Sequence, residues 1–211
     1  MAAIKVQKFG QNIYVVSFES RLDLAATFLR FQEYYESPKF KRKVFSLDDF
    51  KKWYATPKGE FSYYRDWSGF NIPSRVLRPF YEKMFDPLSQ REKRLLTLFA
   101  DKKPPFYIVG VCENCSANTL SHEIAHALFY TCGKYKSEVL GVLKRFELSR
   151  LRMKLIKLGY DRTVILDEVQ AYAVGPSSKT KLSIPAELRN DILKIFRKHR
   201  EQAEQPGKNR P

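Results

Sequence analysis

Apolar and polar positions along the chain change period several times, and these changes divide it into short elements. Residues 4–8 and 13–19 carry strand-type side chains, among them Val15, Val16 and Phe18, on either side of the turn-forming cluster Gly10-Gln11-Asn12. This pattern predicts a β-hairpin. Ser20 is followed three residues later by Asp23, and Leu24, Phe28 and Phe31 then recur at helical spacing, so a helix is predicted that ends before Pro38. Ser46 with Asp49 opens a second, short helix running through Tyr54 and stopping near Pro57-Lys58-Gly59. Phe61, Tyr63, Tyr64, Trp67 and Phe70 then crowd together, punctuated by Ser68-Gly69 and closed by Pro73, which predicts a packed irregular core segment.

Residues 74–85 and 89–100 have helical patterns separated by Asp86-Pro87, and Pro104-Pro105 closes that region. Phe106-Tyr107-Ile108-Val109-Gly110-Val111 is the clearest strand, short and apolar, and it would offer an edge to an extended peptide. A brief loop leads to a helix with Asn118 or Thr119 as cap and Gly133 as stop, so the end of the strand is expected near that helix. One long helix is predicted over residues 137–158, with Val139, Val142, Leu143 and Phe146 inside and a row of lysines and arginines outside, ending at Gly159. Another spans 161–174, between Asp161 and Gly175-Pro176, and a closing helix runs from 186 to about 200. The expected class is α+β, mostly helical, with a small sheet next to the helix that follows residue 117.

Length and composition narrow this further. A chain of 211 residues with 44% hydrophobic content can bury a real core. The expected division is an N-terminal hairpin and helical region, 1–103, packed on a region 104–200 as one compact unit, with a frayed polar tail at 201–211. Three cysteines are too few for a disulfide scaffold and point to the cytoplasm. No run of 18 apolar residues and no leader-like segment in residues 1–16 is present, so neither secretion nor a membrane partner is expected. The net charge of +15 divides into about +6 over residues 1–132 and about +9 over the rest. It admits a nucleic-acid partner without specifying one, since basic residues on outer helix faces are ordinarily a solvated surface.

The candidate chemistry lies in His122-Glu123-Ile124-Ala125-His126. Two histidines four apart share a helix face, so both imidazoles can reach one metal ion with the intervening Glu123 beside it. At about 100° per residue, Leu120, Ile124, Ala127, Leu128 and Thr131 form an apolar stripe, and the histidines lie roughly opposite. They therefore point away from this helix's own apolar face. In the helix 161–174 the stripe is Val164, Ile165, Ala171 and Tyr172, and Glu168 lies in its middle, whereas Asp167 is turned about 100° onto another face. A carboxylate on a burying face requires a cationic partner or a metal, because an unpaired buried one costs several kcal/mol.

The run H-E-I-A-H, followed 42 residues later by Glu168 in D-E-V-Q-A-Y, resembles the gluzincin branch of the zincin metallopeptidases over about residues 106–175. The resemblance implies a zincin-like fold, a catalytic Zn²⁺ held by His122, His126 and Glu168, Glu123 as general base, and a peptide or protein substrate. The chain is short for that family, resembling a minimal version with its own N-terminal extension. No glycine and third histidine continue the motif at metzincin spacing, and His199 is 73 residues beyond His126. Tyr130 and Tyr172 carry hydroxyls suited to an oxyanion and are left outside the assigned site.

Two readings from other classes compete. Cys112-x-x-Cys115 precedes the histidines as C-x2-C-x6-H-x3-H, which would make a structural zinc site in a nucleic-acid-binding protein, although six residues are fewer than the usual 12 and the glutamates then have no role. The two cysteines otherwise read as small buried residues, a local disulfide or a second metal pair. The third reading is a zincin scaffold that binds a partner without turnover.

Overall fold

The computed structural model describes residues 4–57, 59–176, 180 and 182–204. The fold is α+β, 57% helical, with one small four-stranded mixed sheet. The chain divides into two compact units, Met1–Val6 with Val15–Asn114, and Gln7–Tyr14 with Cys115–Pro211. No helix among the described residues is long and apolar enough to cross a membrane.

The sheet begins with β1 (Ile4–Phe9) and β2 (Ile13–Phe18), neighbours in the sheet as the hairpin pattern predicts. Helix α1 (Arg21–Glu36) follows, its cap Ser20 accepting from the Asp23 amide at 3.0 Å, and α2 (Leu47–Ala55) starts in the same way at Ser46. The aromatic stretch is not irregular. It forms a helical turn, α3 (Tyr63–Asp66), and a strand, β3 (Gly69–Pro73). Phe70, Asn71 and Ile72 are all buried, so the strand lacks the alternation that marks a half-exposed one.

The predicted helix 74–85 is a 3-10 turn, Ser74–Leu77, then a single turn, α4 (Arg78–Tyr81), and Lys83 takes a left-handed φ of 61° that prevents continuation. Next comes α5 (Gln90–Phe99), where Ser89 and Glu92 form a reciprocal capping box. Glu92 also receives two hydrogen bonds of 2.6 Å from the buried Arg30 guanidinium.

Strand β4 (Tyr107–Cys112) pairs antiparallel with β3, Gly69 facing Val111 and Pro73 facing Tyr107. The sheet order is β1-β2-β4-β3. β4 is therefore an interior strand, and the free edge expected for an extended peptide does not exist there. Gly110 on β4 is required by packing: a Cβ at that position would stand 2.5 Å from the Phe28 ring of α1. Phe28, Phe31, Phe50, Tyr63, Phe70, Phe80 and Phe85 fill the core of this unit.

The second unit contains α6 (Ala117–Thr131), α7 (Gly133–Leu143), α8 (Ser149–Lys157), α9 (Ile165–Val174) and α10 (Ala186–Glu204). α6 packs on α9 and α7, and α10 packs on α7 and α9. The cap of α6 is Ser116, not Asn118 or Thr119, and Gly133 does not stop it but begins α7. The predicted helix 137–158 is two helices. The buried stripe of α7 (Tyr135, Val139, Leu143) and that of α8 (Leu148, Leu151, Leu155) are out of phase, since Leu148 falls about 140° round from Leu143 on a continuous helix. Asp161 caps a turn through Thr163 at 2.9 Å, and α9 starts four residues later at Ile165. α10 continues four residues past the predicted end, to Glu204; residues 205–211 of the expected tail lie outside the described residues.

Candidate metal centre

Both predicted halves of the site lie in the second unit, on the paired helices α6 and α9. α6 presents its apolar stripe on one side and its histidines on the other. The second side is buried too, closed over by α9, so that His126, Glu123 and Glu168 are only 4%, 7% and 6% exposed. His122 is half-buried.

The structure brings the donors together. His122 Nε2 and His126 Nε2 face each other at 3.2 Å, and Glu168 Oε1 lies 3.7 Å from His126 Nε2. One donor atom from each of the three residues falls within 4.8 Å of the others. In a tetrahedral zinc site with bonds of about 2.0–2.1 Å to nitrogen, two ligand atoms are about 3.3–3.4 Å apart, so the imidazole pair already has the spacing of one edge. Among the described residues the grouping able to hold a metal contains no cysteine, Cys112 and Cys115 included.

The remaining ring atoms fix which nitrogen carries the proton. Asp167 Oδ1 is 2.9 Å from His126 Nδ1, an ion-pair distance although the approach is not that of a well-aligned hydrogen bond. An acceptor-only carboxylate there favours the Nδ1–H tautomer and leaves a lone pair on Nε2. The His122 ring bonds to the backbone of Ala171 and Gly175. With its Nε2 turned toward His126, its Nδ1 is the donor, and it too presents an Nε2 lone pair. Two lone pairs and a carboxylate oxygen thus converge on one point and repel one another unless a cation is shared. A proton relieves one pair; a divalent cation relieves all three, and the donor set suits zinc.

Protonation of the imidazole pair follows the same logic. Burial and the neighbouring His126 push the His122 pKa down to about 3. Burial also opposes charge on His126, but the carboxylates of Asp167 and Glu168 outweigh it and hold its pKa well above the usual range.

Support extends outward from the three donor residues. Asp167 accepts from Gln170 Nε2 at 2.9 Å, and Gln170 Oε1 accepts from the Tyr135 hydroxyl at 2.6 Å, so the carboxylate beside His126 is itself oriented. Gly175, at the end of α9, permits the contact with α6: a Cβ there would stand 2.1 Å from the Asn118 carbonyl and 2.7 Å from the His122 amide nitrogen. The Tyr172 ring packs edge-on against His122 at 4.6 Å between centroids. Its hydroxyl bonds to the Tyr160 hydroxyl at 2.7 Å and to Thr180 at 3.1 Å, and burial raises the pKa of both tyrosines. Tyr130 is 42% exposed. Glu123 lies close enough for its charge to be felt at His126, Tyr160 and Tyr172.

Asp167 is not among the site residues expected from the sequence, since it lies about 100° from the apolar stripe, on a different face of the helix. That face is the one turned to the back of His126. The adjacency of Asp167 to Glu168 was the available signal. Comparison of the chain with protein-family models, curated proteins and solved structures returns no match.

Proposed function

We propose that the protein is a zinc-dependent peptide hydrolase with a minimal zincin-like site. The observation that supports this best is the approach of the His122 and His126 Nε2 atoms and the Glu168 carboxylate to one another between α6 and α9, the helix pair whose sequence resembles the gluzincin pattern. His122, His126 and Glu168 would hold the ion, and Asp167 orients His126 from behind. Zinc bound there supplies Lewis-acid polarisation of a carbonyl and acidification of a water.

The chain's own residues account for the proton movements. Glu123, buried beside the ligands, takes the proton from the attacking water and delivers it to the leaving amine nitrogen, so one carboxylate acts first as base and then as acid. Among the described residues, the grouping able to hold a metal includes neither Cys112 nor Cys115, which does not favour the cysteine-containing finger.

The test is Glu123→Gln in the full chain, with peptide cleavage and bound zinc measured together. A peptide library and mass-spectrometric detection of new termini would serve as substrate and readout. The expected result is zinc retention at the wild-type level with cleavage reduced by about 10²–10⁴-fold. Equal cleavage by variant and wild type would remove Glu123 from the chemistry. Retained zinc with no cleavage by either protein would overturn the hydrolase reading in favour of a binding module.

A further inference from the structure

His199, the one histidine outside the metal centre, organises a second cluster in the same unit. It lies on α10, 4% exposed, with its ring edge-on to Tyr135. Its Nε2 is 3.2 Å from Glu138 Oε2 on α7, and its Nδ1 is 3.7 Å from the sulfur of Cys132, the residue that caps α7. The Cys132 sulfur also accepts from the Tyr135 amide at 3.5 Å, and the residue is half-buried.

The order of partners defines their roles. Lys198 Nζ donates to both oxygens of Glu138, at 2.9 and 3.0 Å, and holds that carboxyl below the usual carboxylate range. An ionised carboxylate can only accept, so it takes the Nε2–H of His199 and leaves the lone pair on Nδ1, facing the thiol. The two ring nitrogens point to different partners, so this trio does not chelate a single ion. Its geometry is instead that of a nucleophile, a base and the group that orients the base, with a backbone N–H at the sulfur to stabilise negative charge.

We propose that Cys132 is a modification site, a thiol activated by His199 and Glu138 toward small peroxides. The sulfur attacks one peroxide oxygen; the S–O bond forms as the O–O bond breaks. His199 Nδ1 accepts the thiol proton and passes it to the departing oxygen, giving water from hydrogen peroxide or an alcohol from an alkyl peroxide. The thiol is oxidised to a sulfenic acid and the peroxide is reduced, so the step balances without a further reagent.

The protein supplies its own controls, since Cys112 and Cys115 are also half-buried thiols outside any disulfide. The full chain is treated with hydrogen peroxide and a 1,3-dione that traps sulfenic acids, and labelling at each cysteine is followed by peptide mass spectrometry. The expected result is trapping at Cys132 at least about tenfold faster than at Cys112 or Cys115. Glu138→Gln, on a carboxylate at the surface, and His199→Gln are both expected to slow Cys132 by about tenfold while labelling of the other two cysteines is unchanged. Should the buried His199 variant fail to fold, Glu138→Gln alone decides the question. Labelling of Cys132 no faster than of the other two, or unaffected by Glu138→Gln, would overturn the proposal.

Discussion

Glu33 on α1 shows how burial alone sets a charge state in this protein. It is 9% exposed, and desolvation raises its pKa from 4.5 to about 7 against the opposing effect of the Tyr63 and Ser37 hydroxyls. The folded form therefore binds the proton more tightly than the unfolded form. The resulting stabilisation is fully present below about pH 4.5 and is lost as pH rises through 7, a span of about 3 kcal/mol. Glu33→Gln should gain stability relative to the wild type by about 2 kcal/mol between pH 5 and pH 8, read from denaturant midpoints at the two pH values. A difference that does not change with pH would refute the assignment. At this same scale Glu168 was legible in the sequence, because a carboxylate in the middle of an apolar stripe identifies itself. Asp167 was not: its role depends on which helix covers its face, and a stripe calculation within one helix carries no information about that.

At the scale of elements, the contact between α6 and α9 is set at Gly175. Placing a methyl group 2.1 Å from a backbone carbonyl requires the end of α9 to move away from α6, and His122 lies at the point of contact. Gly175→Ala should cost about 1–3 kcal/mol and weaken zinc retention, whereas Gly141→Ala, in α7 with open space around it, should raise stability by about 0.5–1 kcal/mol. Thermal melts and zinc competition on both variants check the pair, and a harmless Gly175→Ala would mean that α6 and α9 do not meet as described. Helix starts were readable wherever a serine stood three residues before an acid, as at Ser20 and Ser46. Helix breaks were not. The 140° phase jump between Leu143 and Leu148 was present in the sequence, but basic residues on the outer face of both helices concealed it. β3 escaped notice because its partner β4, some forty residues away, supplies the pairing that its five residues do not announce.

At the scale of the whole molecule, both helices that carry the proposed ligands and the Tyr135–Gln170–Asp167 support belong to one compact unit, Gln7–Tyr14 with Cys115–Pro211. The class, α+β and mainly helical, was legible from element patterns, whereas the order of strands was not, since hydrophobic runs do not state their neighbours. The central claim is that His122, His126 and Glu168 bind one zinc ion, and metal content measures it directly. The purified 211-residue chain, exposed to zinc and then dialysed, should retain about one equivalent. That equivalent should be lost in Glu168→Ala and kept in the double variant Cys112→Ala, Cys115→Ala. Retention of zinc by Glu168→Ala together with its loss from the double cysteine variant would contradict the account.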